Sequence, residues 1–121
     1  VQEIPRDGAV KDLSFSMDGK KLAAGAHDCK VKIYDMDEGD PPKAILPSSV
    51  TVEREKKVRA VAFSPDGLLL AVGALETVVL CNARGEPQKE LERGEMVKSV
   101  AFSPTGATFA VGSDDKKLAL Y

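Results

Sequence analysis

One short phrase occurs three times in this chain, and its spacing limits the possible folds more than any other feature. Phe15-Ser16-Met17-Asp18-Gly19 returns as Phe63-Ser64-Pro65-Asp66-Gly67 and as Phe102-Ser103-Pro104-Thr105-Gly106, at intervals of 48 and 39 residues. The same intervals carry Val10, Leu13 and Phe15 onto Val58, Val61 and Phe63, then onto Val97, Val100 and Phe102. They also carry Ala23-Ala24-Gly25 onto Ala71-Val72-Gly73 and Ala110-Val111-Gly112. A repeat of this length is one supersecondary unit that buries its apolar surface against its neighbours.

Within each copy, apolar residues alternate with small or polar ones at a period near two. Strands are therefore expected at Val10–Ser16, Val58–Ser64 and Val97–Ser103. Asp-Gly, or Thr-Gly in the third copy, marks a turn after each. A second strand follows at Lys21–Ala26, Leu68–Ala74 and Ala107–Ser113, and a third at Lys30–Met36, Val78–Asn82 and Lys117–Tyr121. A weaker outer strand is expected before each trio, at Val1–Ile4, Lys43–Leu46 and Gln88–Leu91. Runs such as Ala60-Val61-Ala62-Phe63 are apolar or small on both faces, as in strands covered on both sides. Gly, Pro or Asp-Gly interrupts the pattern too often for helices. The expected class is all-β, with antiparallel four-stranded sheets in a single domain over 1–121. Its repeats lie at about 1–36, 43–84 and 88–121, with a loop insertion over 37–57.

The Phe-Ser-Pro-Asp-Gly turns, the Ala-Val-Gly strands and the ending Val31-Lys32-Ile33-Tyr34-Asp35 resemble the WD-repeat family. That resemblance covers nearly the whole chain and implies blades of a β-propeller. Tyr34-Asp35 stands where the family has Trp-Asp, and Tyr121 takes the Trp position. The second copy has one residue fewer in its turn, which puts Cys81-Asn82 there. The family's Gly-His before the first inner strand has lost its His. Asp7-Gly8-Ala9 and Arg93-Gly94-Glu95 keep only the Gly, and Glu53–Lys57 keeps neither. Without that His, the acidic turn residues Asp28, Glu76 and Asp115 are expected to bond local backbone amides. The first copy is similar to repeats of cytoskeleton-associated WD proteins, including the echinoderm-type microtubule-associated and actin-interacting families.

Function follows from the same resemblance: a protein-interaction scaffold that binds through its rim loops. The matching positions are Arg6, Asp7, His27 and Lys30 in the first copy and Arg54, Lys56, Lys57, Arg59 and Glu76 in the second. The third supplies Arg93, Glu95, Asp114, Lys116 and Lys117. Arg59 and Lys98, near the start of their strands, are expected to point toward the central channel. Three copies are fewer than the roughly four to eight blades of a ring. Further repeats of a longer parent chain, or a second copy of this one, would supply the remainder.

Other functions find little support. His27 is the only histidine, which leaves no imidazole cluster for a metal and one candidate base for a serine. Asp114-Asp115 falls far short of a calcium oxygen shell. There is no phosphate-cradling Gly-rich loop, so no catalytic, metal or cofactor residue is expected. A propeller-based enzyme remains one alternative and an RNA- or translation-associated propeller another. The net charge of −2 argues against a phosphate-backbone binder. No apolar run reaches the ~18 residues of a membrane span. Two cysteines, Cys29 and Cys81, are too sparse for a disulfide scaffold. They read as small buried hydrophobes in a reducing, cytoplasmic setting. The missing initiator Met suggests a processed or trimmed chain.

Overall fold

The computed structural model describes residues 1–121. Eleven strands form three antiparallel sheets stacked face to face. The first sheet holds β1 (Val10–Phe15), β2 (Lys21–Ala26), β3 (Lys30–Asp35) and β4 (Val50–Glu53), hydrogen-bonded in that order. The second repeats the order with β5 (Val58–Phe63), β6 (Leu69–Ala74), β7 (Thr77–Asn82) and β8 (Pro87–Glu92). The third has three strands, β9 (Val97–Phe102), β10 (Phe109–Ser113) and β11 (Leu118–Leu120). β1 lies against β5 and β5 against β9, so the first strands of the copies form the innermost row.

The three inner strands of each copy fall where their alternation places them, but two outer strands do not. Val1–Ile4 forms no strand. Instead, the Gln2 side chain exchanges two 2.9 Å hydrogen bonds with the Ala44 backbone, and Ile4 packs on Ala24, Tyr34 and Ala44. Lys43–Leu46 contributes one bridge, Met36 to Ala44. Pro41, Pro42 and Pro47 bracket that segment and withhold the donors that a ladder needs. The strand forms further on, at Val50–Glu53, where β-branched residues follow one another. β4 pairs with β3 and β8 with β7, so each outer strand completes the sheet of the preceding copy.

Two apolar layers hold the stack together. Ala23, Val31, Ile33 and Val52 of the first sheet meet Val58, Val61, Phe63, Leu70 and Val72 of the second. The opposite face of the second sheet, with Ala60, Ala71 and Val78, meets Val97, Val100, Phe109 and Val111. Each fully buried Val or Leu contributes roughly 1.5–3 kcal/mol. Gly25 permits the close approach, because a Cβ there would sit 2.6 Å from Val58 Cγ1. Asp12 Oδ2 and Ser14 Oγ accept bonds from Val61 N (3.0 Å) and Phe63 N (3.1 Å) across the first interface. Cys81 is buried in the first layer and Cys29 is half-buried; burial pushes the Cys81 thiol up.

The outward faces of the end sheets lack such cover. Phe15 is 60% exposed although its repeat-mate Phe63 is 9% exposed. By strand register, Leu118 corresponds to Val78, and the two are 70% and 0% exposed.

The recurring turn explains why the phrase is kept. Ser64 Oγ donates to Asp66 Oδ1 (2.6 Å), Leu68 N donates to the same carboxylate (3.0 Å), and Leu69 N donates to Ser64 Oγ (3.0 Å). Ser16 and Asp18 repeat this at 2.7, 2.9 and 3.0 Å. Gly19, Gly67 and Gly106 take φ of 72, 73 and 76°, which their missing Cβ makes easy. With Thr105 in place of Asp, the third turn is looser, at 3.3 Å for each corresponding contact. The Ser64 hydroxyl and then the Leu68 amide hold the Asp66 carboxyl below the ordinary carboxylate range. For Asp18 the Lys20 amide leads, followed by the Ser16 hydroxyl. A depressed folded-state pKa gives stability that is complete above the unfolded carboxylate range and lost as pH falls through the folded value. The Asp18→Asn/Asp66→Asn variant should therefore lose less stability than the parent as pH falls below about 4. Denaturant titrations at stepped pH check this, and parallel curves for the two proteins would refute it.

Candidate functional site

The loops between outer and first inner strands meet the turns between second and third strands at one rim of the stack. Three arginines, Arg6, Arg54 and Arg93, recur there at the repeat intervals. Arg6 is turned inward. Its Nε and Nη2 bond the two Asp28 oxygens at 3.1 and 2.9 Å, Nη1 bonds Ala24 O (3.0 Å), and Nη2 also reaches Lys30 O (3.1 Å). Only 3% of the Arg6 side chain and 7% of the Asp28 side chain are exposed. Arg93 repeats the contact with Asp115 Oδ2 at 3.1 Å and reaches Tyr121 Oη at 3.3 Å. Asp28 and Asp115 do accept local amides, from Lys30 and Lys117. The expected amide partners are thus present for Asp28 and Asp115, and an arginine adds a charged partner to each.

The second copy breaks the pattern. Its turn is reduced to Leu75-Glu76, with Ala74 paired directly to Thr77 and Leu75 held at φ 48°. Glu76 stays exposed, and Arg54 bonds Glu90 Oε1 on β8 at 3.0 Å. The Nε atoms of Arg54 and Arg93 are buried without a partner, whereas every nitrogen of the Arg6 guanidinium is bonded.

A second set of cations is placed by backbone irregularity. In each copy the first strand slips by one residue against the second. The residue left out of the ladder is Lys11, then Arg59, then Lys98. A β-bulge of this kind re-aims a side chain. Lys98 Nζ comes within 3.8 Å of Asp114 Oδ2, while Lys11 and Arg59 make no ion pair.

Arg59 lines a cleft of about 550 Å³ with His27, Cys29, Glu55, Lys56, Lys57, Leu75 and Met96. Partial burial, followed by Lys11, Lys57 and Arg59, holds the His27 imidazole below its ordinary pKa. Four of the rim residues expected from sequence thus come together: His27, Lys56, Lys57 and Arg59. Arg6, Arg54 and Arg93 serve inside the rim instead. Asp7, Glu76, Glu95, Lys116 and Lys117 are exposed without a side-chain partner, Lys30 is half-buried, and Asp114 faces Lys98. Cys29, Glu55, Leu75 and Met96 were not expected at the site. No group of three or more His, Cys, Asp or Glu gathers in metal-binding geometry. No helix is long and apolar enough to cross a membrane.

Comparison with known proteins agrees with this architecture. The family model described as "WD domain, G-beta repeat" matches residues 2–35, 47–80 and 85–121. Actin-interacting protein 1 of Drosophila melanogaster is 33% identical over 87 residues. That alignment takes in 72% of this chain and 14% of the relative, so the chain spans a small part of that protein's length. Three in-register sheets, their shared turn chemistry and the three matched segments together mean that the chain belongs to the WD40 repeat family.

Proposed function

We propose that this segment is a protein-interaction scaffold whose rim cleft takes part of a partner protein. The observation that carries the reading is the convergence of unpaired Lys56, Lys57 and Arg59 on one cleft of a rigid stack. Loops fixed by a scaffold are where binding residues concentrate. Likeness to a protein named for interacting with actin supports a cytoskeletal partner inside the cell. The uncovered end faces support further blades of the same kind on either side, making the segment one wall of a ring. The single histidine and the lack of a nucleophile–base pair favour binding over catalysis.

Charge reversal at Lys56, Lys57 and Lys116 should reduce partner capture at least about tenfold, with the melting temperature unchanged within about 2 °C. Affinity capture from cell extract, read beside thermal unfolding, measures both. Capture that is equal for the variant and the parent would refute the rim as the binding surface. Co-sedimentation with filamentous actin tests the cytoskeletal partner separately.

A further inference from the structure

The cleft is not uniformly charged, and its chemistry is narrower than a general basic patch. Leu75 reaches the rim because the second copy's two-residue turn brings it there, and Met96 meets it from the loop before β9. Half-buried Cys29 joins them. Lys56, Lys57 and Arg59 stand around these groups without ion-pair partners, and Glu55 is the one carboxylate in the lining. Lys11, on the bulge of the first copy, lies outside this lining, beside Val10, Asp12 and Leu13. The volume of about 550 Å³ lies inside the ~300–1,000 Å³ range of ligand-sized clefts.

A bare polyanion would leave the Leu75 and Met96 surface wet. A purely apolar segment would leave the cations unsatisfied. We propose that the cleft binds an acidic peptide segment carrying an apolar side chain, its carboxylates on Arg59, Lys57 and Lys56 and its apolar group against Leu75 and Met96. This rests on the protein-binding reading above and names the chemistry of the partner segment. Carboxylate–cation contacts set register and encounter rate, and the apolar contact supplies burial.

The test uses the whole chain and the fluorescein-labelled peptide Glu-Glu-Leu-Glu-Glu, followed by fluorescence anisotropy. Controls are Gln-Gln-Leu-Gln-Gln, Glu-Glu-Ser-Glu-Glu and inorganic tripolyphosphate. The parent peptide is expected to bind, and each control peptide at least about tenfold more weakly. Salt should weaken the parent peptide's binding. Lys57→Glu and, separately, Arg59→Met should each cost about tenfold, with thermal melts confirming that both variants are folded. His27, the sole imidazole, is a reporter inside the site. Its pKa, followed by NMR, should rise when the acidic peptide is bound, because the peptide offsets the charges of Lys57 and Arg59.

Equal binding of the Gln peptide, or tripolyphosphate competing as well as the peptide, overturns the proposal. So does peptide binding that leaves the His27 titration unmoved, or no peptide binding at all. Loss of protein capture in the lysine-reversal variant, alongside failure of the peptide, would leave the scaffold reading standing and remove only this inference.

Discussion

Truncating Phe63 to Ala should lower the unfolding free energy by about 3–5 kcal/mol, whereas Phe15→Ala should cost less than about 1 kcal/mol. The two positions share a place in the repeat, each closing the first strand of its copy, β1 and β5. They differ in cover. Phe63 lies in the layer with Ile33, Val31 and Leu70, and loses both transfer energy and packing when truncated. Phe15 is on the uncovered face of the first sheet and leaves no enclosed void. Phe102, half-buried against Phe109 at a ring separation of 5.5 Å, should fall between them. Urea unfolding of the three variants measures the ordering. Similar losses at Phe15 and Phe63 would mean that the first sheet's face is covered in solution, and should then depend on protein concentration.

The second large effect is expected at Arg6. Arg6→Ala should cost about 3 kcal/mol or more, because it leaves the Asp28 carboxylate buried without its counter-charge. It also strips the Ala24 and Lys30 carbonyls of a donor. Arg6→Lys should not rescue this, since an ammonium cannot make the forked contact to both carboxylate oxygens. Arg6→Met combined with Asp28→Leu should recover much of the loss, since the pair then leaves no charge stranded. Arg54→Ala should cost less than Arg6→Ala, because Glu90 on its far side is exposed and stays hydrated. Denaturant midpoints of the series decide it. A loss under about 0.5 kcal/mol at Arg6 would mean that the pair is solvated.

The inner strands and the turns of this fold were legible because one kind of signal specifies them. Alternation sets the strand, and Ser-x-Asp-Gly with its left-handed glycine sets the turn. The outer strands were less legible because an edge strand needs only one row of backbone partners and little apolar patterning. Val1–Ile4 has suitable residues for a strand, but it lies on the first sheet through the Gln2 amide and Ile4. Lys43–Leu46 is apolar enough as well, but prolines on both sides leave the pairing to Val50–Glu53.

The site was half legible for a related reason. A charged residue in a loop reads as solvent-facing, and that holds for Lys56 and Lys57. It does not hold for Arg6, whose burial follows from acceptors contributed by three separate points of the chain: Ala24, Asp28 and Lys30. No local pattern announces such a convergence. The repeat interval did carry a clue, because Arg6, Arg54 and Arg93 are in register and rim ligands need not be. Leu75 escaped notice for the opposite reason. The sequence sets it in the turn after the second strand, but an apolar turn residue carries no mark of a binding role, and the two-residue turn projects it to the rim.

The two uncovered end faces also have a consequence for symmetry. The outward side of the first sheet is of the Phe63 kind, and that of the third sheet, with Leu118 and Leu120, is of the Val31 and Ile33 kind. These surfaces correspond to the two opposite sides of an interface inside the stack, and they differ from each other. An end-to-end contact is therefore heterologous: each unit offers one kind of end and accepts the other. Repetition of such a contact closes into a ring if the rotation per step allows it and otherwise grows as an open helix. Two units joined through like ends about a two-fold axis would leave the same mismatch on both sides.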